Sequence, residues 1–215
     1  MDSDLFILVL ELVGTVAFAV SGAMTAMKKE MDIFGVCVLG IITACGGGVI
    51  RDIILGITPP NTFRDPVYGV TATVTSIIIF LPFVRKMLFR HKKLYDKVLL
   101  YMDTAGLGIF TVVGARTALV MSEEYNIFLL IFVGVITGVG GGIMRDVLAG
   151  DRPYVFVKHV YACASIVGAA VCSVLWKYSS SIALASGMAV VILIRFFAIK
   201  YDINLPKAVL EDDWD

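Results

Sequence analysis

Strongly apolar stretches alternate with short polar segments along most of the chain, and each apolar stretch is about twenty residues long. An α-helix needs about 20 apolar residues to cross the hydrocarbon core of a bilayer. The pattern therefore predicts an all-α integral membrane protein, with one membrane domain over residues 1–204 and a polar C-terminal tail over 205–215. Pro82 is expected to kink the third span. The seven predicted transmembrane helices cover residues 5–27, 33–57, 67–89, 98–121, 127–149, 155–176 and 181–200.

Composition agrees with this class, since 59% of the 215 residues are hydrophobic and the formal net charge is zero. A neutral chain offers no basic surface for nucleic acid, so membrane lipids are the expected surroundings. The cations outside the spans are distributed unevenly, because twelve Lys and Arg fall on one side and only Arg64 and Lys177 on the other. By the positive-inside rule, the N-terminus is predicted outside and the C-terminus in the cytoplasm. The twelve are Lys28, Lys29, Arg85, Lys86, Arg90, Lys92, Lys93, Lys97, Arg152, Lys158, Lys200 and Lys207.

The two halves of the chain resemble each other. A shift of 92 residues aligns Glu11 with Asp103 and Phe18 with Phe110, and a shift of 94 aligns two Gly-Gly-Gly-x-x-Arg-Asp motifs. Each unit holds three spans, and because three is odd the second unit enters the membrane from the opposite side. The pattern predicts an inverted repeat, with unit one at about 5–89, unit two at about 98–176 and a seventh helix left over.

The three consecutive glycines of each motif have two possible explanations. Glycine lowers helix stability by roughly 1 kcal/mol relative to alanine, so a run of three favours a broken or kinked helix. Freed backbone carbonyls near Gly46 and Gly140 would then line a cavity and could bind a monovalent cation. Alternatively, small residues four apart allow close helix packing. The candidate pore and kink residues are Thr43, Gly46, Gly47, Gly48, Thr137, Gly140, Gly141 and Gly142.

Each motif ends in two charged residues inside a predicted span, and such charges usually mark a transport pathway. Neighbouring helical residues point about 100° apart, so Arg51 and Asp52 are expected to pair poorly with each other. A swapped arrangement fits the repeat better, with Arg51 bound to Asp146 and Arg145 bound to Asp52, as an ion-pair lock or a gate.

Four further charged residues lie within or beside the spans. Glu11 and Asp103 form a second symmetric pair, which either attracts cations or lies at a solvated helix end. Arg116 and Arg195 have no repeat partner and are expected to snorkel or to meet lipid headgroups.

Enzymatic function is not indicated. Gly138-x-Gly140 resembles a dinucleotide fingerprint only superficially, because no strand, turn and helix surround it. The chain has two histidines, His91 and His159, in different segments, so a histidine metal site is not expected. No organic cofactor is expected, and the predicted small ligands are a monovalent cation and lipid.

The doubled Gly-Gly-Gly-x-x-Arg-Asp motif, the tandem three-helix units and the extra helix resemble the prokaryotic TRIC (trimeric intracellular cation) channels, a family also described as glycine transporters. The resemblance covers about residues 5–200. It implies a homotrimer in the bacterial inner membrane, with lipid between protomers. It also implies a potassium- and sodium-permeable pore within each protomer, lined by the second and fifth spans, which bend at Gly46–Gly48 and Gly140–Gly142. A secondary transporter of glycine or a similarly small solute is the alternative, and a structural or lipid-handling protein is a weaker one.

Overall fold

The computed structural model of the protein describes residues 3–122, 126–157 and 160–206, and this part of the chain is built from ten α-helices. The helices are α1 Ser3–Lys28, α2 Ile33–Ile54, α3 Asn61–Arg64, α4 Val67–Phe80, α5 Pro82–Phe89, α6 Lys92–Met121, α7 Ile127–Leu148, α8 Tyr154–Val157, α9 Tyr161–Leu175 and α10 Ser180–Lys200. The all-α prediction is confirmed. The predicted tail over 205–215 lies almost wholly outside the described residues.

Five of these helices are long and apolar enough to cross a membrane: α1 from Leu5 onward, α2, α6, α7 and α10. The predicted third span is instead a bent pair, because α4 and α5 meet at 68°. Leu81 has left the helical conformation, with φ of −52° and ψ of 137°, and Pro82 after it lacks the N–H group that would continue the helix. The expected effect of Pro82 is therefore confirmed. If the pair is one span, the described residues contain six candidate spans rather than the predicted seven.

The predicted sixth span, over 155–176, is also not one continuous helix. It contains the short α8 and the 15-residue α9, with Val160 in the left-handed conformation before α9 begins. At 1.5 Å per residue, α9 is about 22 Å long, which is shorter than a hydrocarbon core of about 30 Å. This shortness explains why the structure adds no seventh candidate span.

Helices α2 and α7 begin and end in the same way. Asp32 and Asn126 cap the N-termini by accepting hydrogen bonds from the N–H groups of Gly35 and Leu129. Gly56 and Gly150 follow the C-termini, both with φ of +71°, a left-handed conformation that glycine adopts without strain. Sequence chemistry thus fixes both ends of the two helices that carry the motifs.

Helices α2 and α7, which carry the two motifs, pack against each other. Helices α1, α2 and α4 contact one another, and so do α6, α7 and α9. These two groups also meet through α1 and α6, while α10 lies against α6 and α9. The arrangement brings both glycine motifs to one central crossing.

Candidate functional site

The glycine runs lie inside unbroken helices. Both α2 and α7 are helical at every residue, glycines included, so the break expected at Gly46–Gly48 and Gly140–Gly142 is not found. A bend of either helix at its glycines, and a cation site at the carbonyls near Gly46 and Gly140, stay predictions. A role for these residues in ion passage remains a prediction.

Close helix packing explains two of the glycines directly. A Cβ atom at Gly47 would overlap the backbone carbonyl oxygen of Thr137, and one at Gly141 would overlap that of Thr43. A backbone atom cannot move aside as a flexible side chain can, so α2 and α7 approach this closely only without side chains at the crossing. Of the two explanations for the glycines, the structure favours packing at this crossing.

The same contacts fix the direction and register of the two helices. Thr43 faces Gly141 and Gly47 faces Thr137, so residue numbers rise along α2 as they fall along α7, and the helices are antiparallel. Arg51 and Arg145 each lie four residues beyond the crossing glycine of their own helix. They therefore lie on opposite sides of the crossing.

Thr43 and Thr137 are both buried in this structure. Each hydroxyl donates a 2.6 Å hydrogen bond to the carbonyl four residues earlier, at Leu39 and Val133 respectively. Each also packs where the neighbouring helix has a glycine, Gly22 in α1 for Thr43 and Gly114 in α6 for Thr137.

Each motif arginine pairs with the aspartate next to it, so the expected swapped pairing is wrong. Arg51 Nε donates to Asp52 Oδ1 and Arg145 Nε donates to Asp146 Oδ1, both at 2.8 Å. The antiparallel register explains the correction, because it sets Arg51 level with Val133. Asp146 is 13 residues further along α7 (146 minus 133), which is about 20 Å at 1.5 Å per residue.

The second oxygen of each aspartate closes the loop that follows its helix. Asp52 Oδ2 accepts a hydrogen bond from the N–H of Asn61 at 2.7 Å, and Asp146 Oδ2 accepts one from the N–H of Tyr154 at 2.9 Å. The two motifs thus have the same local geometry. Their aspartates have a structural role besides any role in ion passage.

The surroundings of Arg145 form a dense, buried cluster. Arg145 Nη1 lies 2.5 Å from Asp103 Oδ1 and 2.5 Å from the Ser21 hydroxyl, and the side chains of Arg145 and Asp103 are 1% and 0% exposed. Asp103 is therefore not at a solvated helix end. Arg195 is also fully buried, with its guanidinium 4.7 Å from the centre of the Tyr161 ring. The expectation that Arg195 snorkels to the membrane surface is wrong.

The surroundings of Arg51 are open by comparison. Arg51 is 6% exposed and lines a cavity of about 320 Å³ between α1, α2, α3, α4 and α6. Glu11 also lines this cavity, and it accepts a 2.5 Å hydrogen bond from the Tyr68 hydroxyl instead of binding an arginine. Arg64 and Arg116 complete the charged part of the wall. The two motifs therefore end in unlike places, one in a closed ion-pair cluster and the other in a cavity.

Sequence reasoning missed Ser21, Tyr68 and Tyr161. The repeat could have revealed the two tyrosines, since they lie 93 residues apart, Tyr68 near the start of α4 and Tyr161 at the start of α9. Ser21 gave no such signal, because the 92-residue shift aligns it with Val113. In the described part of the chain, no group of three or more His, Cys, Asp or Glu side chains could hold a metal ion.

Comparison with known proteins is consistent with this architecture. The family model described as Glycine transporter matches residues 8–83 and 100–177. The chain is 39% identical to the UPF0126 inner membrane protein YadS of Escherichia coli K12 over 207 residues, 95% of this chain and 97% of that protein. It is 40% identical to a UPF0126 membrane protein of Vibrio cholerae over 212 residues, 98% of this chain and 85% of that protein.

Solved structures decide the family. A structure from work on conductance through TRIC cation channels matches with a TM-score of 0.83 and 35% identity, over 98% of this chain and 99% of the other. The TRIC orthologue from Rhodobacter sphaeroides matches with a TM-score of 0.84 and 32% identity, over 92% and 99%. The chain belongs to the prokaryotic TRIC family. As a TRIC family member with inner-membrane relatives and several apolar helices, it is a multi-pass inner-membrane protein.

Proposed function

We propose that this TRIC family member is a homotrimeric channel permeable to potassium and sodium, with a pore inside each protomer along α2 and α7. The observation that carries the proposal is the fold shared with solved structures that are described as TRIC cation channels. The 320 Å³ cavity beside the Arg51 end of α2 is the proposed outer part of the pore. Lipids are proposed to fill the spaces between protomers.

The pore is proposed to run through two units related by inverted symmetry, with α10 as the seventh, unpaired helix. The matches to the family model begin at residues 8 and 100, and 100 minus 8 gives the same 92-residue shift found in the sequence. The paired caps, the paired Arg–Asp contacts and the corresponding contacts within each helix group also support the repeat. By the positive-inside rule, the cavity then opens to the outside and the Arg145 cluster lies toward the cytoplasm.

The Arg145 cluster is proposed to be the closed gate of this pore. Arg145 is held by Asp103, Asp146 and Ser21, on the opposite side of the helix crossing from the cavity. Continuous passage requires this arginine to leave Asp103 or the helices to separate at the crossing. A bend of α2 and α7 at their glycines is the proposed way of separating them, since glycine is permissive of backbone change.

Conduction tests the proposal directly. Purified protein in planar bilayers should give discrete current steps, and in a potassium gradient the reversal potential should follow the cation rather than chloride. Gly47→Leu and Gly141→Leu should abolish the steps in protein that still inserts, because a leucine side chain at the crossing would disrupt the packing of the pore helices. Gly69→Ala is the matched control, since a Cβ at Gly69 meets nothing within 4 Å. Unchanged currents in both leucine variants would rule out a pore at this crossing.

The alternative, a secondary transporter of glycine or a similar solute, is favoured by the description of the matching family model. The same preparation distinguishes the two functions. Saturable glycine uptake into proteoliposomes without current steps would support the transporter and contradict the channel.

A further inference from the structure

The two motif arginines have different numbers of partners, although their helices have the same local geometry. Arg145 is bound by oxygens of Asp146, Asp103 and Ser21. Among the described residues, Arg51 donates only to Asp52, through Nε. The residues aligned with Asp103 and Ser21 do not replace the missing oxygens, because Glu11 binds Tyr68 and position 113 is a valine.

The space beside the two arginines also differs, since it is filled beside Arg145 and open beside Arg51. A Cβ at Gly142 would lie 3.0 Å from the Tyr161 hydroxyl, 3.8 Å from Asp103 Oδ1 and 3.8 Å from Arg145 Nη2. A Cβ at Gly48 would also lie 3.8 Å from its arginine, at Arg51 Nη2, but among the described residues no other atom outside its chain neighbours and its own helix backbone stands within 4 Å. The volume that a carboxylate and a hydroxyl fill beside Arg145 is therefore open cavity beside Arg51.

The N–H donors of Arg51 that Asp52 does not bind indicate which kind of ligand the cavity would take. A guanidinium presents five N–H donors in a planar fork, and a carboxylate matches two of them with two parallel hydrogen bonds. Arg51 is more than nine-tenths buried and faces the cavity, so a ligand there would meet it with little competition from bulk water. Arg64 and Arg116 line the same cavity and add positive charge.

We propose that this cavity binds a small molecule carrying a carboxylate, which takes the position at Arg51 that Asp103 takes at Arg145. The proposal concerns equilibrium binding and goes beyond ion passage. The cavity is the one proposed above as the outer part of the pore, so the inference rests on that site, but bilayer currents test the channel function and equilibrium binding tests the ligand, and the two can fail independently. Amino acids and simple organic acids share the carboxylate, and the experiment separates these two sources.

The test measures the melting temperature of the full-length protein in detergent, at constant ionic strength, with sodium acetate, glycine or methylammonium chloride at about 1 to 100 mM. We expect a concentration-dependent rise with acetate or glycine. A rise with both means that the carboxylate alone is recognised, and a rise with glycine only means that its ammonium group also contributes. No rise with either compound, or a rise with methylammonium alone, would overturn the proposal.

Two variants locate the ligand. Arg51→Lys keeps the charge but loses the fork. Gly48→Ala places a methyl group in the cavity 3.8 Å from Arg51 Nη2, and it removes no atom of the Arg51–Asp52 pair. Each should raise the dissociation constant about tenfold or more, as expected for loss of a charged hydrogen bond or of the space for it. Arg90→Gln, an exposed cation near the end of α5, is the control and should bind normally. Binding that persists unchanged in both Arg51→Lys and Gly48→Ala would place the ligand elsewhere and refute the assignment.

Discussion

Replacement of Asp103 by asparagine should destabilise the protein far more than replacement of its sequence counterpart Glu11 by glutamine. Asp103 is completely buried and 2.5 Å from Arg145, so Asp103→Asn leaves the buried guanidinium with one carboxylate partner instead of two. Breaking a buried pair by removing one partner typically costs about 3–5 kcal/mol. Because Asp146 still compensates Arg145, we expect a value near the lower limit, about 3 kcal/mol.

Glu11→Gln should cost only about 1 kcal/mol, because it exchanges a hydrogen bond to a carboxylate for one to a neutral amide oxygen. Glu11 is only partly buried at the cavity wall, and a glutamine amide oxygen can still accept the hydrogen bond from Tyr68. The contrast between the two variants tests whether only one of the two units carries a closed charge cluster.

A double-mutant cycle should locate the coupling. Asp103→Asn combined with Arg145→Gln should give an interaction energy of about 1–3 kcal/mol, whereas Asp146→Asn combined with Arg51→Gln should be additive within about 0.5 kcal/mol. Equilibrium unfolding in mixed detergent micelles, followed by circular dichroism, provides the free energies. Coupling between Arg51 and Asp146, or equal costs at Asp103 and Glu11, would refute the pairing and the contrast between the units.

Two further predictions concern packing and topology. Gly47→Ala and Gly141→Ala should each lower the free energy of unfolding by about 1–3 kcal/mol, because the new methyl group overlaps a backbone carbonyl, whereas Gly69→Ala should raise it by up to about 1 kcal/mol through helix propensity. In a variant without the native cysteines, a cysteine near Lys92 should be protected from an impermeant external thiol reagent and one near Asn61 should react; the reverse labelling would contradict the proposed orientation.

Local signals in the sequence predicted the helices well where a capping residue, a glycine or a proline marks the helix end. The apolar stretches gave α2 and α7 to within a few residues, and Pro82 gave the bend between α4 and α5. The short α9 was not predictable, because the left-handed Val160 before it carries none of the usual signals for that conformation. Hydropathy alone therefore predicted one full span over residues 155–176.

The pairing of the charges was predicted wrongly because the prediction used only the direction in which each side chain leaves the helix. That direction does not fix where the charged end of a long side chain lies. Arg51 and Asp52 leave the helix about 100° apart, but the long arginine side chain brings Nε back to the neighbouring carboxylate. The register of α2 against α7 then separates Arg51 from Asp146. That register depends on which glycines meet across the crossing, and no local pattern in one helix contains this information.

Differences between the two units are as informative as their similarity. The two copies of the motif meet at the helix crossing, but only the positions at which the two units differ distinguish the two sides of that crossing. Ser21 supplies an oxygen to Arg145 where Val113 supplies none to Arg51, and the shorter Asp103 binds the arginine where Glu11 binds Tyr68. A chain of two identical units would have closed both sides or opened both. The proposed gate and the proposed ligand cavity therefore both lie where a few residues differ between the two units.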